Sequence, residues 1–471
     1  MNKQIKISNK DLIWNYLGYG WSLGINIILL PIVLHFLQPQ ELGLWYVFLS
    51  IGTFVSLFDF GFAPQMARQI TYSFSGASSL QKTGLSTAPV VEEINYSLFS
   101  NLIKTAQLIY LLIASLVLII LLIGGTYYVI YISGELFSWK ILLAWFCYSV
   151  ACFINLYFSY YNAIFRGLGN FVALSKATVF SKMAQLCVAG IGLYYGQGLL
   201  SVSAAYLISG VIFRLLLIRS FNIYRQLIAT EKRTDKQNVI KNFKIIWHNA
   251  WRDGIVMLSR YFTSQSNTII CSLYLGLAET ASYALSIQII TIVSSFSTIY
   301  YSTNQPALTE ANLHRDLKRK RFIFARSWVV FIFAFLFLSI GVIAAGFPLL
   351  KILGAKTQIN LWIYLALSIY LFLEANQSLF ASYISTGNIL PYTFPYLISS
   401  VLSLLLSVII IKTTSWGIWG LIVSPFIVQL AYNNWRWPQY VLRDLHISLK
   451  NLFTIGVRGL YKSLKQQYNN I

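Results

Sequence analysis

The stretch "LGLWYVFLSIGTFVSLFDFGFAPQMARQ", residues 42–69, runs through seventeen uncharged, mostly apolar residues before it meets Asp59. Gly61, Pro64 and Arg68 follow. A run of this length is close to the roughly 20 apolar residues that a helix needs to cross a bilayer. Asp59 then lies about 26 Å along that helix, well inside the membrane. Proline lacks the amide hydrogen that an interior helical position needs, so Pro64 is expected to bend the helix near Phe60. A carboxylate beside a bend suits a moving element, a proton acceptor or the partner of a cation. It equally suits an acid that hydrogen-bonds backbone freed by the bend. The segment reads as the kinked inner end of a span that lines a cavity, with Arg68 at the membrane surface.

Working outward, similar runs recur along the whole chain. Its 471 residues are 57% hydrophobic and only 10% charged, against about 25% charged in soluble domains. We expect an all-α integral membrane protein with about twelve transmembrane helices. They fall near residues 12–36, 42–70, 97–122, 139–165, 172–195, 200–224, 250–275, 280–305, 322–346, 358–384, 391–411 and 416–438. The net charge of +21 does not point to nucleic acid, because the cations lie in short segments between spans. Twenty-three of the 35 Lys and Arg fall in the terminal segments and even-numbered loops, and four in the opposite loops. The positive-inside rule therefore puts both termini in the cytoplasm. Trp45, Trp139, Trp362, Trp416 and Trp419 open spans on the outer side, whereas Trp247, Trp251, Trp435 and Trp437 mark inner ends. That distribution is an aromatic belt.

The basic N-terminal segment lacks a small-residue cleavage site, so it is read as a lead-in to the first helix. The longest external loop is expected at 123–138. The expected organisation is a six-helix lobe over 1–225, a cytoplasmic inter-lobe loop over 226–249, a second six-helix lobe over 250–440, and a basic amphipathic cytoplasmic tail over 441–471. In the tail, Leu445, Leu449, Leu452 and Phe453 alternate with Lys450, Arg458, Lys462 and Lys465, a pattern for anionic inner-leaflet lipid. The two halves echo each other: Gly169-Asn170 answers Gly387-Asn388 at an offset of 218, and Gly198 answers Gly417 at 219. Pro306 is the counterpart of Pro64. Such repeats suit two lobes rocking about a central cavity.

Ionisable groups at membrane depth are costly and mark functional positions. The candidates are Asp59, Lys182, Arg214, Arg260 and Glu374. Arg260 falls near the middle of the seventh span, followed by Gln265 and Asn267. It either lines the cavity or pairs with a carboxylate such as Glu374. Lys182 either lines the cavity, on the face of Ser175, or snorkels. Arg214, nearer the inner end of its span, either snorkels, the favoured reading, or joins Arg260, Lys182, Asp59, Glu374, Gln265 and Asn267 in lining the cavity. Gly61, Pro64 and Pro306 are the candidate gating or kink positions. No metal site is expected, since no histidine pair has ligand spacing, and Cys147, Cys152, Cys187 and Cys271 all sit within apolar spans. There is no Walker A pattern, no Asp-x-Asp and no nucleophile elbow. No catalytic residue is assigned, and the chain is not read as an enzyme.

Residues 30–70 resemble the N-terminal signature of bacterial polysaccharide-export flippases, the O-antigen and capsule flippases of the multidrug/oligosaccharidyl-lipid/polysaccharide (MOP) superfamily. The resemblance rests on Pro31, Gly43-Leu44-Trp45, Asp59, Gly61 and Arg68, and on Gly276, Glu279 and Tyr283 at the junction of spans seven and eight. It implies a MATE-like, V-shaped transporter of two six-helix lobes around a cationic cavity. It also implies a multi-pass protein of the bacterial cytoplasmic (inner) membrane that moves an undecaprenyl-pyrophosphate-linked oligosaccharide. The gradient would be of H+ or Na+, with no other cofactor, and a polysaccharide polymerase is a further partner on this view. Asn267 departs from the pattern, since relatives often carry an acid there. The competing readings are an ion-coupled multidrug antiporter of the same fold and a membrane polysaccharide polymerase.

Overall fold

The computed structural model describes residues 7–37, 39–85, 94–134, 137–228, 236–275, 277–348 and 359–468. Among them every regular element is helical. The first six spans are α1 (Asn9–Phe36), the pair α2 (Pro39–Ser56) and α3 (Phe62–Phe74), the pair α4 (Tyr96–Ile120) and α5 (Thr126–Ser133), the pair α6 (Trp139–Tyr157) and α7 (Tyr160–Gly167), α8 (Phe171–Tyr194) and α9 (Leu199–Ile228). Then come α10 (Lys236–Tyr274), α11 (Leu277–Leu313), α12 (Leu317–Gly341), α13 (Leu361–Ser385), α14 (Thr393–Thr413), the pair α15 (Ile418–Ala431) and α16 (Asn433–Asp444), and α17 (Leu449–Tyr468). A helix covers each of the twelve expected span positions. Among the described residues, eight helices are long and apolar enough to cross a membrane, or nine with α2–α3 taken as one bent span. The chain is a multi-pass membrane protein.

It divides into two compact units: residues 1–82 with 86–251, and residues 83–85 with 252–471. The segment expected as an inter-lobe loop is largely helical, through the end of α9 and the start of α10. Asn242, Ile246, Asn249 and Ala250 are buried there while Lys241 and Lys244 are exposed, so these two cations occupy one side of an amphipathic helix. The expected external loop shrinks too, since α5 continues the third span to Ser133.

Within the first unit two apolar clusters stack along the spans. One is built on Phe48, Trp145, Tyr148 and Val202, the other on Phe62, Met66, Leu102, Phe165 and Leu217. Spans two and four both break where the clusters meet, at Leu57–Gly61 and at Phe158–Ser159. Phe60 (φ 44°) and Gly61 (φ 79°) are both left-handed, and the helical axis turns by 43°. Glycine tolerates that conformation without the penalty a side chain brings. The bend is therefore set by Phe60–Gly61. Pro64 sits in the first turn of α3, where a missing amide hydrogen breaks no helical bond. Pro306 is not its equivalent, because it lies buried in the interior of the uninterrupted α11. Phe60 and Phe62 stack on Trp247 of α10, with ring centroids 6.4 and 5.7 Å apart, and Phe62 also faces Phe243.

The repeat is visible in backbone detail. Gly198 and Gly417, one residue before α9 and α15, both have φ of 55°. Spans three and nine each contain one five-residue π turn, Leu121–Gly125 and Val342–Gly346. The stretch 71–96, for which the sequence suggests no role, is largely packed. α3 runs on to Phe74, Ala77 and Leu80 are buried, and Asn95 donates to the Ala77 carbonyl at 3.0 Å while capping α4. Gly84 belongs to the second unit, where it exchanges two 3.3 Å hydrogen bonds with Asn388. Residues 86–93 lie outside the described part.

Candidate functional site

The broken spans leave backbone groups that must find partners, and in a membrane those partners must be protein. Side-chain groups meet the need at both breaks of the first unit. Asp59 accepts the Ala63 amide at 3.3 Å, near the start of α3. Its other oxygen accepts from the fully buried Tyr110 hydroxyl at 2.5 Å. One turn along α4 from Tyr110, Gln107 reaches the Tyr160 hydroxyl at 3.4 Å. Arg166 of α7 is the cation whose field reaches Asp59. Of the alternatives open for Asp59, capping of the freed backbone is what this structure contains, with a tyrosine as its strongest partner.

At the second break, Ser159 bonds back to Leu156 and not to Asn155. The Asn155 carbonyl is thereby released from the helix. Arg214 of α9 takes it, donating at 3.0 Å to that oxygen and at 3.3 Å to the Asn155 side chain. Arg214 is only 7% exposed, and its guanidinium lies 4.5 Å from the Phe213 ring centroid. The expected snorkelling is overturned, because a freed carbonyl inside the bundle offers a shorter route to hydrogen bonds than the headgroups do. Arg68 differs from expectation as well: it is 5% exposed, on a buried polar face of α3 that includes Gln65 and Gln69. α3 and α7 close tightly beside it, where Thr71 donates to the Gly167 carbonyl at 2.8 Å. A Cβ on Gly167 would stand 2.5 Å from the Ala67 carbonyl oxygen.

Lys182 is partly exposed and donates to Gln185 one turn along α8 at 2.9 Å. Ser175, expected on the same face, packs instead against Gly18 of α1. The two cations Arg214 and Lys182 thus hold neutral partners.

In the second unit, four helices meet at Asn267. It donates to the Leu421 carbonyl at 3.2 Å, accepts from Ser407 at 3.2 Å, and shares a hydrogen bond with Tyr283. Glu374 accepts from Tyr370 one turn earlier on α13 and acts electrostatically on Tyr283. Asn267 and Glu374 therefore belong to one network. The backbone of α10 carries Arg260 and Gln265, but their side chains lie outside the described residues, as does any pairing of Arg260 with Glu374. The sequence reading passed over Arg326, nine residues into α12, whose guanidinium lies 5.3 Å from the Tyr300 ring centroid and bonds its hydroxyl. It also passed over Tyr110, Asn155 and Tyr370. Only Arg326 carried a visible signal, as a cation inside an apolar run.

No family model matches the chain, and neither does any curated protein. Solved structures do. An outward-facing multidrug resistance MATE family transporter of the MOP superfamily aligns over 94% of this chain and 98% of its own, with 12% identity and a TM-score of 0.69. A MATE structure in the bent conformation aligns over 93% and 95%, with 13% identity and a TM-score of 0.71. A MOP superfamily transporter from Pyrococcus furiosus, described as having a binding pocket of reverse polarity that suggests a different function, aligns over 93% and 96% at 12% identity and 0.67. At such identities the likeness is one of fold, and it extends over nearly the whole length of each chain: this protein has the fold of the MATE-type transporters of the MOP superfamily.

Proposed function

We propose that the protein is a flippase for undecaprenyl-pyrophosphate-linked oligosaccharide, moving the repeat unit from the inner to the outer leaflet of a bacterial cytoplasmic membrane. The supporting observation is the state of the cations. Arg214 and Lys182 lie within spans and are held by an amide, a carbonyl and a glutamine, so their charge is left for an anionic substrate. A pyrophosphate matches that need, and a guanidinium can bind it through two parallel hydrogen bonds. On this reading both termini are cytoplasmic, the two units alternate access around the substrate, and a H+ or Na+ gradient drives the cycle. A polysaccharide polymerase would take the product.

A multidrug antiporter is the second reading. Asp59 and Glu374 each hold a neutral tyrosine, and carboxylates of this kind suit a cationic substrate. The test uses cells depleted of the protein. Complete single repeats accumulating on the cytoplasmic side, with loss of surface polymer, support the flippase. Unpolymerised repeats on the outer side would mean a polymerase, and unchanged pools with lost drug efflux would mean the antiporter.

A further inference from the structure

The last helix was expected as a basic amphipathic tail on the inner-leaflet surface, and α17 is docked on α12. Leu452 is fully buried. A Cβ on Gly456 would meet Val329 Cγ2 at 2.4 Å and the Ala325 carbonyl oxygen at 2.5 Å, and one on Gly459 would meet Phe322 at 3.0 Å. Phe453 touches Trp328 and Phe333, with centroids 6.5 and 6.3 Å apart. The order of these contacts makes α17 antiparallel to α12. Arg321 fixes its approach by donating to the Leu445 and His446 carbonyls at 2.6 and 3.3 Å. Since α12 is one of the membrane spans, α17 lies against it within the span and returns toward its basic end.

At about 100° per residue, α17 has three faces. Leu452, Gly456 and Gly459 form the docked face. Leu449, Phe453, Val457 and Tyr461 form an adjoining apolar stripe, 51, 41, 39 and 67% exposed. Arg458 is exposed, and Lys462 and Lys465 follow it in the sequence. The chain has no acid after Asp444, which is itself taken by Lys320 at 3.1 Å and by Tyr383 at 2.5 Å. Lys318 and Arg443, near the same end of α12, are also exposed.

We infer that α17 and the basic end of α12 form a binding site for anionic phospholipid. The apolar stripe meets the acyl chains and the Arg458 face meets the headgroup. Amphipathic helices bind interfaces through this pairing of apolar area with positive charge. The stripe beside a lipid-facing span, and a helix that carries no acid among its cations, commit the site to an anionic lipid. The inference is independent of what the protein transports.

The experiment measures binding of labelled phosphatidylglycerol and labelled phosphatidylcholine to the purified full chain in neutral detergent. Wild type should prefer phosphatidylglycerol. R458Q/K462Q/K465Q should weaken that lipid tenfold to a hundredfold, since each cation near an anionic surface contributes about fivefold. K140Q/K412Q, near the opposite ends of spans, should change nothing. Equal binding of the two lipids by wild type, or full retention by the triple variant, overturns the site. As a check needing no variant, phosphatidylglycerol with a photoactivatable headgroup should label peptides from 449–468 or 315–333 of the wild type. Labelling confined elsewhere would refute the assignment.

Discussion

The contact between Tyr110 and Asp59 can be tested with one atom. Tyr110→Phe removes the hydroxyl and keeps a ring that is fully buried. Among the described residues Asp59 then keeps one hydrogen bond, from the Ala63 amide at 3.3 Å, and the field of Arg166. A hydrogen bond to a charged acceptor contributes about 1.5–3 kcal/mol, and one between neutral groups about 0.5–1.5 kcal/mol. Tyr110→Phe should therefore cost about 1.5–3 kcal/mol in the wild-type background. In an Asp59→Asn background, where the amide oxygen still accepts from the hydroxyl, the same change should cost only about 0.5–1.5 kcal/mol. The double-mutant cycle should give a coupling of about 1 kcal/mol, beyond the roughly 0.5 kcal/mol within which independent sites add. Unfolding by SDS in mixed micelles, followed by tryptophan fluorescence, reads all four proteins. Additivity within that margin would refute the reasoning, for it would mean that the hydroxyl does not face a charged carboxylate at 2.5 Å.

Arg214→Leu should lose about 1–3 kcal/mol in the same assay, because the Asn155 carbonyl is left buried without a donor. Arg214→Lys should recover part of the loss, and equal stability of the leucine variant would show that water reaches the break. Gly167→Ala should cost about 1–3 kcal/mol, since its Cβ meets backbone that cannot swing aside. An unchanged unfolding midpoint would show that α3 and α7 separate freely. Lys182→Gln should leave stability within about 0.5 kcal/mol of wild type while lowering surface polysaccharide in complemented cells. Normal export would remove Lys182 from the proposed cavity.

Much of the fold was legible because its causes are local. Uncharged runs of membrane length are visible without knowing what they touch, so a helix stands at each expected span. The breaks were harder. Proline is the conspicuous signal for a bend, yet Pro64 occupies a harmless first turn; of the turning residues, Gly61 was among the expected kink positions, while Phe60 is one for which no composition rule speaks. The site was only half legible for a related reason. Arg214 and Asp59 stand out in a hydrophobic sequence, but their partners Asn155 and Tyr110 lie 59 and 51 residues away. One of those partners is a backbone carbonyl, free only because the helix carrying it is interrupted. The amphipathic tail was legible as a helix for a lipid surface, but its docking was not, since Gly456 and Gly459 carry no sequence signal that they press on another helix.

The paired π turns of spans three and nine have a bearing on ancestry. A π turn is a helix that has accommodated one additional residue at the expense of regular hydrogen bonding. Here the turns end on Gly125 and Gly346, in the third helix of each half. If both halves descend from one six-helix gene, the extra residue was already there when that gene doubled. Each copy has then kept it through divergence deep enough to leave hardly any other identity between the halves.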